Sequence, residues 1–589
     1  MSDIYLLSVP NRNIDYPALS LPTLAGRLRK DGFDVTQKDI NILVKDGILK
    51  TEVLRALKSF VLPALIAKNI FEEDLQKYFI KLNSYLKTVD KQWSFEAVEK
   101  IKNLMQQREY EKILVDKEGF EVSLAIFKIN RMLHNFIEYY ACNEEEVSAL
   151  FEKANIKNPI LSVVEETIQD IVDNNPYLLG LTVLEIQRNF AFYFIKKLKN
   201  KYKGKIAVGG ADPTRHTEKY SLYFNDLIDF VILKEGEDSL STLLLQIKTG
   251  KQELEKISGI TYVQDGKVVV NPPKPISPCR IVSPDFDGIA LDKYLTETLP
   301  VHASRACYWA LEKTPDDPSL AEKRGCKFCA HYKTYSTYYE RSASEVVDDM
   351  ELLNKKYGTR LFHLTDDALK LELGVAISEE IQRRGLTDFK WLVYARLEKK
   401  FTLDVLQKWY DGGARVLEWG LESASQPVLN AMNKAVDVNE AQRVLIESDK
   451  VGILNKLFMF HNFPTETVDD LKTTLSFLYK NTYNGIIRPF PTVRNKMYLL
   501  KNTALYNSLE NERLYEKVWK PSGDFSISAM YIDLYNYSEK VPYLEEHLSQ
   551  IKKMARDRYV FSTDDENVMF DLVVCDLMER GYITYYGSK

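Results

Sequence analysis

Apolar residues near the start of the chain form short continuous runs that are separated by one stretch of helical spacing. The run Ile4 to Val9 predicts a buried strand, the segment from about Ser20 to Lys30 predicts an amphipathic helix, and Phe33 to Asp39 predicts a second strand. Strand, helix and strand in succession are typical of a parallel sheet covered by helices. The chain is therefore predicted to begin with an α/β fold.

A long stretch from about 47 to 173 interrupts this alternation. Its apolar residues recur at helical spacing, its glycines are few, and Lys/Glu pairs are frequent, as in EEDLQKYFIKLNSYL and EEEVSALFEKANI. We interpret it as a helical insertion that packs as a structural cap, with binding of a partner as the alternative.

Strand patterns resume at 177–183, 205–208 and 227–233, and each run ends in Gly, Thr or Glu residues. Ligands of open α/β sheets bind at the carboxyl ends of strands, and glycine there lets a bulky ligand approach the backbone. A hairpin at 259–270 and a Pro-rich linker at 271–275 follow. We place a domain boundary near residue 285.

A second series of strand-like runs fills the later part of the chain. The runs cover 362–367, 391–396, 416–423, 457–460 and 485–490. Polar residues at the carboxyl ends of successive barrel strands usually belong to an active site. This series predicts a second, barrel-like domain.

Three cysteines, Cys307, Cys326 and Cys329, follow the apolar segment 299–301. A Cys-x-x-Cys pair offers two soft thiolates from one turn, and a third cysteine beside it leaves one position of a metal centre open for chemistry. We interpret the group as a catalytic iron-sulfur site. A structural zinc with His331 or His302 as the fourth ligand is the alternative.

Composition narrows the class of protein. The chain has 589 residues, a net charge of −5, 45% hydrophobic and 28% charged residues, which predicts three to four globular units and argues against non-specific nucleic-acid binding. We see no signal peptide and no apolar stretch long enough to cross a membrane. Six cysteines, three of them clustered, argue against a disulfide framework, so we expect a cytoplasmic protein.

In this order the motifs resemble those of the cobalamin-binding radical S-adenosylmethionine (SAM) enzymes. In the later half the resemblance rests on Phe328 within the cysteine pair, on GLESAS followed by Met432-Asn433-Lys434, and on the HNFPTET turn at 461–467. In the first half it rests on GLTVLEIQ, VGGADPT and VILKEGEDSL. The resemblance spares the helical insertion and the tail.

The resemblance implies an α/β architecture of three domains. Residues 1–285 would form a Rossmann-like cobalamin-binding domain with the helical insertion at about 47–173. Residues 286–506 would form a partial (β/α)6 radical SAM barrel, and 507–589 a small, mainly helical C-terminal domain.

The resemblance also implies the cofactors and their sites. Cys307, Cys326 and Cys329 would bind three irons of a 4Fe-4S cluster, with SAM on the fourth. Arg396 and Glu422 would contact SAM, and a salt bridge across the barrel mouth is the alternative for them. The residues expected to bind cobalamin are Thr182, Val183, Glu185, Gly209, Gly210, Glu235 and Gly236.

The chain departs from the family pattern at three points. Eighteen residues separate Cys307 from Cys326, where the usual gap is three. The Gly-Gly-Glu motif that binds the methionine amine is missing, so Thr365, Asp366 or Asp367 would have to replace it. The Asp-x-His-x-x-Gly cobalt-ligand motif is also missing, and we expect His216 to be a helix-start or surface histidine.

The resemblance implies a methyltransferase that methylates an unactivated carbon of a peptide or small-molecule natural product through a 5′-deoxyadenosyl radical. Cyclisation, rearrangement or epimerisation without methyl transfer is the alternative, and a cobalamin- or zinc-binding regulator is a non-enzyme alternative. The expected partners are the substrate and an external low-potential electron donor of flavodoxin or ferredoxin type, with neither nucleic acid nor membrane.

Overall fold

The computed structural model describes residues 2–68, 73–114, 117–224, 226–251, 253–276, 281–311, 325–331, 334–335, 337–488, 497–500, 503–511, 529–531, 537–557 and 568–581. The chain divides into two compact units, Met1–Glu297 and Thr298–Lys589. Each unit contains a parallel sheet of its own. Among the described residues, no helix is long and apolar enough to span a bilayer.

The first unit is built on a seven-stranded sheet in the order β2-β1-β3-β4-β5-β6-β7. Strands β1 to β7 cover Ile4–Ser8, Val35–Asp39, Leu178–Thr182, Lys205–Gly209, Phe230–Ile232, Ile260–Gln264 and Lys267–Val270. The first five strands in that order are parallel, and the predicted hairpin, β6 and β7, is antiparallel. Ser8 pairs with Thr182, which in turn pairs with Gly209, so these strand ends meet at one edge.

The helices of the first unit confirm the predicted insertion. Helices α1 to α15 cover Ser20–Lys30, Ile40–Ile48, Thr51–Ala56, Leu62–Ala67, Glu73–Gln92, Phe95–Gln106, Tyr110–Ile113, Lys117–Met132, His134–Cys142, Glu144–Lys153, Pro159–Asn174, Arg188–Lys199, Ala211–Arg215, Thr217–Tyr220 and Glu237–Thr249. In the described part of the connection between β2 and β3, the regular structure is helical, from α2 to α11. Phe79, Phe120 and Phe136 are fully buried, as expected of helices that cover a core.

The first unit extends further along the chain than the predicted boundary near residue 285. The main-chain N–H of Asp285 donates to Pro22 at 2.9 Å, and the Tyr294 hydroxyl donates to the Asp39 carboxylate at 2.7 Å. Residues up to Glu297 therefore belong to the first compact unit, because these polar contacts fasten the segment to α1 and β2.

The second unit is a parallel, partial barrel. Strands β8 to β16 cover Leu299–Val301, Ser304–Arg305, Tyr339–Glu340, Leu361–Leu364, Lys390–Ala395, Ala414–Glu422, Leu454–Met459, Tyr498–Leu500 and Ala529–Tyr531. The main sheet has the order β14-β13-β12-β11-β8, and all its strand pairs are parallel. Two short antiparallel ladders, β9 with β10 and β15 with β16, accompany it.

The predicted strand at 485–490 is not found in its described part. Residues 485–488 form a turn and bend, and 489–490 lie outside the described residues. Arg488 still donates its main-chain N–H to Asn455 of β14 at 2.9 Å. The Asn455 side-chain amide also donates to the carbonyl of Ile486 at 2.9 Å. In the described part of this run only one main-chain hydrogen bond thus reaches the sheet edge, too few for a ladder.

Helices alternate with the barrel strands, as the sequence predicts. Helices α16 to α25 cover Tyr308–Leu311, Ala343–Tyr357, Leu371–Arg383, Leu403–Asp411, Gln426–Ala431, Val438–Lys450, Val468–Tyr483, Ala504–Asn511, Tyr537–Asp557 and Val568–Glu579. The described tail is mainly helical and contains α24 and α25.

Helix α25 is attached to the sheet through ion pairs. Asp571 lies 2.6 Å from Lys456 of β14. Glu579 pairs with Lys390 of β12 at 3.2 Å and with Arg415 of β13. The helix therefore joins three neighbouring strands, which is why the tail belongs to the same compact unit as the barrel.

Helix α24 carries one half of a buried ion pair. The Lys540 ammonium lies 3.0 Å from the Glu466 carboxylate, and both side chains are only 1% exposed. The same carboxylate accepts the main-chain N–H of Asn462 at 2.7 Å. The pair therefore fastens α24 to the turn that follows β14.

A half-buried carboxyl group joins the insertion to the first sheet. Glu138 of α9 accepts hydrogen bonds from the side-chain amides of Asn11, at 3.3 Å, and Asn189. Burial raises the pKa of Glu138 to about 7. Asn11 follows β1 and Asn189 opens α12, so Glu138 holds the insertion against the carboxyl edge of the sheet.

We predict that Glu466→Gln destabilises the second unit by about 3–5 kcal/mol, because the Lys540 ammonium is left buried without its counter-charge. The double variant Glu466→Gln with Lys540→Met removes both charges and should recover most of that loss. Urea denaturation of the three proteins measures the difference. Equal destabilisation of the single and double variants would contradict the prediction.

We predict that Glu138 makes the first unit less stable as the pH rises. Because the pKa of Glu138 is raised from 4.5 to about 7, the folded state holds a proton that the unfolded state loses between these values. Its contribution falls by about 3 kcal/mol from pH 4.5 to pH 7. We expect the urea midpoint of unfolding to fall less steeply with pH across this range in Glu138→Gln than in the unsubstituted protein. The exposed Glu166→Gln serves as control, and an unchanged slope in Glu138→Gln would refute the assignment.

Candidate functional site

The three predicted cysteines lie together at the carboxyl edge of the barrel. Cys307 follows β9 and immediately precedes α16. Cys326 and Cys329 share one turn, in which the main-chain N–H of Cys329 donates to Cys326 at 3.0 Å. Burial raises the pKa of Cys329 to about 12, and the charges of Cys326 and Cys307 add to the rise. Burial likewise raises the pKa of Cys307, and the charge of Cys326 again adds to it.

The Cys-x-x-Cys turn is anchored by the aromatic residue inside it. Phe328 packs edge-on against Phe460 at a centroid distance of 5.0 Å and contacts the apolar cluster around Met432 and Phe463. The neighbouring Lys327 donates its main-chain N–H to Met432 at 3.0 Å. The turn is therefore held at the ends of β13 and β14.

Asp366 holds the segment that leads to Cys307. Its carboxylate accepts the main-chain N–H of Ala303 at 3.2 Å and both the N–H and the hydroxyl of Ser304. Burial raises the pKa of Asp366 to about 6. This carboxylate is committed to positioning the backbone, a role that the sequence analysis missed.

Two buried cations lie next to Cys326. The Arg396 guanidinium donates to the Cys326 sulfur at 3.8 Å and also to the carbonyl of Lys434. The Lys434 ammonium lies 2.9 Å from the Glu422 carboxylate and 5.9 Å from the centre of the Phe328 ring. The salt bridge expected as an alternative for Glu422 is thus formed in this chain, whereas its contact with SAM stays a prediction.

Sequence reasoning missed Lys434 as a site residue. It belongs to the Met-Asn-Lys string used for the resemblance, and its position 12 residues after Glu422 was the available signal. Gly420 makes room for the pair, since a Cβ there would lie 2.9 Å from the Lys434 nitrogen.

The two histidines considered for a zinc site lie in different surroundings. His331 is exposed, and its Nδ1 lies 3.1 Å from the Asp367 carboxylate. His302 is buried, and burial together with Arg305 and Arg341 holds its pKa well below the ordinary value. The cationic surroundings of His302 disfavour a further positive charge there.

The three residues expected to replace Gly-Gly-Glu differ in whether their polar side-chain atoms can still bind a ligand. The Thr365 hydroxyl bonds to the carbonyl of Val301 at 3.3 Å, and Asp366 is committed as described above. Asp367 keeps one buried carboxylate oxygen that has no hydrogen bond to any residue that the structure describes. Asp367 is therefore the acidic group of the three that remains available to a ligand.

In the first unit, two predicted strand ends meet closely. The main-chain N–H of Val183 donates to Gly209 at 2.8 Å. Gly210 has a φ of 106°, and a Cβ there would lie 2.7 Å from the Val183 oxygen and 3.2 Å from the Thr182 hydroxyl oxygen. Packing between the loops after β3 and β4 thus requires glycine at 210, whatever binds at this edge.

The third strand end, which carries Glu235 and Gly236, reaches the same edge. Glu235 is buried, and Gly236 immediately precedes α15. The neighbouring Lys234 has a φ of 57° and donates its main-chain N–H to the Thr214 hydroxyl at 3.0 Å. The loop after β5 is therefore joined to α13, the short helix that follows β4.

Glu185, Asp212 and His216 place their potential ligand atoms within 4.8 Å of one another. Both carboxylates already have cationic partners, since Arg215 pairs with Glu185 and Arg188 with Asp212. A metal ion would have to displace both guanidinium groups. We therefore interpret the group as an ion-pair network.

His216 takes the first of its two expected placements. It stands at the start of α14. It is only 7% exposed, so it is a buried helix-start histidine and not a surface one. Burial beside Arg188 lowers its pKa, and burial is the larger cause.

Two known proteins are similar to this chain in sequence. Over 343 residues it is 25% identical to an uncharacterized methyltransferase of Pyrococcus horikoshii, covering 56% of this chain and 71% of that protein. Over 261 residues it is 26% identical to the anaerobic magnesium-protoporphyrin IX monomethyl ester cyclase of Rubrivivax gelatinosus, covering 42% and 44%.

Solved structures share the fold at lower identity. The cobalamin-dependent SAM radical enzyme OxsB, with aqua-cobalamin and SAM bound, matches at 16% identity and a TM-score of 0.53, covering 73% of this chain and 70% of OxsB. The radical SAM methyltransferase TsrM of Kitasatospora setae, with cobalamin and a [4Fe-4S] cluster, matches at 13% identity and a TM-score of 0.55, covering 92% and 84%.

The barrel also matches a family model. The model of the radical SAM superfamily covers residues 323–478, which include Cys326, Cys329, Arg396, Glu422 and Lys434. Residues 323–478 are therefore similar to the radical SAM superfamily, and the chain shares its fold with OxsB and TsrM.

Proposed function

We propose that this chain is a cobalamin-dependent methyltransferase that methylates an unactivated carbon of a peptide or small-molecule substrate. The observation that carries the proposal is the meeting of Cys307, Cys326 and Cys329 at the carboxyl edge of a parallel partial barrel. Three thiolates would leave one iron of a 4Fe-4S cluster without a protein ligand, which is where SAM would bind.

The surroundings of the cysteines fit such a cluster. Thiols whose pKa values are raised by burial and by one another release their protons when a metal centre binds. Arg396 donates toward the Cys326 sulfur, and Lys434 brings a second cation into the same buried region. When bound, SAM and the reduced cluster supply a 5′-deoxyadenosyl radical, and cobalamin supplies a methyl group.

Asp367 is the residue that we assign to the methionine amine of SAM. Two observations support this assignment: one Asp367 carboxylate oxygen has no hydrogen-bond partner among the described residues, and the charge of Asp367 contributes to the raised pKa values of Cys307 and Cys329. Arg396 would contact the SAM carboxylate. Glu422 would contact the ribose or the amine, in exchange for part of its pairing with Lys434.

Cobalamin is assigned to the carboxyl edge of the first sheet. The assigned residues are Thr182, Val183, Glu185, Gly209, Gly210, Glu235 and Gly236. Open α/β sheets bind ligands at this edge, where hydrogen bonds join the loop after β3 to the end of β4 and the loop after β5 to α13. Similarity of fold to OxsB and TsrM supports the assignment.

Radical chemistry without methyl transfer is the second candidate. The relative from Rubrivivax gelatinosus is named as a cyclase, which favours cyclisation or rearrangement. Either reaction needs an external low-potential electron donor of flavodoxin or ferredoxin type to reduce the cluster. A cytoplasmic location stays a prediction.

The decisive test starts from protein produced with cobalamin and purified without oxygen. We expect about four irons and one cobalt per chain, and 5′-deoxyadenosine on incubation with SAM and a strong reductant. Release of S-adenosylhomocysteine in addition supports methyl transfer. Its absence from a turnover that still forms 5′-deoxyadenosine would favour the second candidate, and zinc alone would overturn the cluster.

We predict that Cys326→Ala loses the iron and the broad visible absorbance of the cluster but keeps its cobalt. The reason is that the variant removes one of three thiolate ligands in the second unit and leaves the first unit unchanged. Metal analysis and absorbance spectra measure both effects. Cys142→Ala, which changes an exposed cysteine of the first unit, is the matched control. Iron retained at the level of the unsubstituted protein would contradict the prediction.

A further inference from the structure

Asn433 lies between the two segments that carry the cluster cysteines. It follows α20 and has a φ of 56°, a left-handed conformation that asparagine adopts more readily than most residues. Its main-chain oxygen accepts the indole N–H of Trp309 at 3.3 Å. Its side-chain amide donates to the carbonyl of Gly325 at 2.9 Å. One residue thus contacts both segments.

Trp309 and Gly325 stand on opposite sides of the long gap between the cysteines. Trp309 lies two residues after Cys307, and Gly325 immediately precedes Cys326. Gly325 is buried, so its carbonyl needs a hydrogen-bond partner within the protein. The Asn433 side chain supplies that partner.

Neighbouring contacts reinforce the same junction. The main-chain oxygen of Met432 accepts the N–H of Lys327, inside the Cys-x-x-Cys turn, at 3.0 Å. The Arg396 guanidinium lies 4.5 Å from the centre of the Trp309 ring and donates to the Cys326 sulfur. Residues 432–433 and Arg396 therefore form a bridge between the first cysteine and the later pair.

We propose that Asn433 is a positioning residue for the iron-sulfur cluster. It holds Cys307 and Cys326 in fixed positions relative to each other, although eighteen residues separate them in the sequence. This inference rests on the proposed cluster. A long connection between ligands costs little extra entropy in itself, but it leaves the first thiol free to move unless other contacts fix it. The hydrogen bonds that Asn433 makes with both segments restrict their movement. Ligands that are held in place in this way retain a cluster longer.

The test uses the full chain with its cluster. Asn433→Gly keeps the left-handed backbone and the bond from Trp309 but loses the amide that reaches Gly325. Trp309→Phe keeps a ring beside Arg396 but loses the indole N–H. With a ferrous chelator added, we expect the visible absorbance of the cluster to decay about fivefold faster in each variant, since each lacks one hydrogen bond of the junction.

Asn175→Gly is the matched control, because Asn175 is an exposed left-handed asparagine of the first unit, with a φ of 43°. It should lose its cluster at the rate of the unsubstituted protein. Equal decay rates in Asn433→Gly, Trp309→Phe and the control would overturn the role of Asn433 while leaving the cluster in place. An unsubstituted protein that binds no iron would instead overturn the proposed function, and with it this inference.

Discussion

Buried thiols resist ionisation, and this constraint determines which groups surround the three cysteines at the carboxyl edge of the barrel. Burial raises the pKa of Cys307 and Cys329; the charge of Cys326 raises both further, and that of Cys307 adds to the rise at Cys329. Three thiolates can exist there only if positive charge accompanies them. The buried Arg396 guanidinium supplies part of that charge, and the proposed metal centre would supply the rest. The parallel strands bring these groups together, since their carboxyl ends share one edge.

The positions of the cysteines depend on contacts far along the sequence. Asp366 holds the backbone before Cys307, Phe328 anchors the later pair in the apolar cluster near Phe460, and Asn433 touches both segments. A gap of eighteen residues is therefore compatible with a compact metal site. The first unit also depends on contacts between residues distant in sequence. Gly210 packs closely against Val183, and Glu138 of the insertion accepts a hydrogen bond from Asn11, which follows β1.

Much of this arrangement could be predicted from the sequence. Strand runs and helical spacing are local signals, so the parallel sheets, the hairpin and the helical insertion were recognised. The cysteine group was recognised because thiol spacing carries its own chemistry. Lys434 and the backbone role of Asp366 were missed, since ion pairs and buried acceptors depend on tertiary contacts. The boundary near 285 and the strand at 485–490 differ from the structure for the same reason.

The central claim is that three cysteines hold a cluster with one iron open to SAM. Electron paramagnetic resonance of the reduced, anaerobic protein tests it most directly, with spectra taken before and after addition of SAM. We predict a signal of a reduced 4Fe-4S cluster whose g values shift when SAM binds the open iron. A cluster signal that SAM leaves unchanged, or no cluster signal at all, would contradict the account.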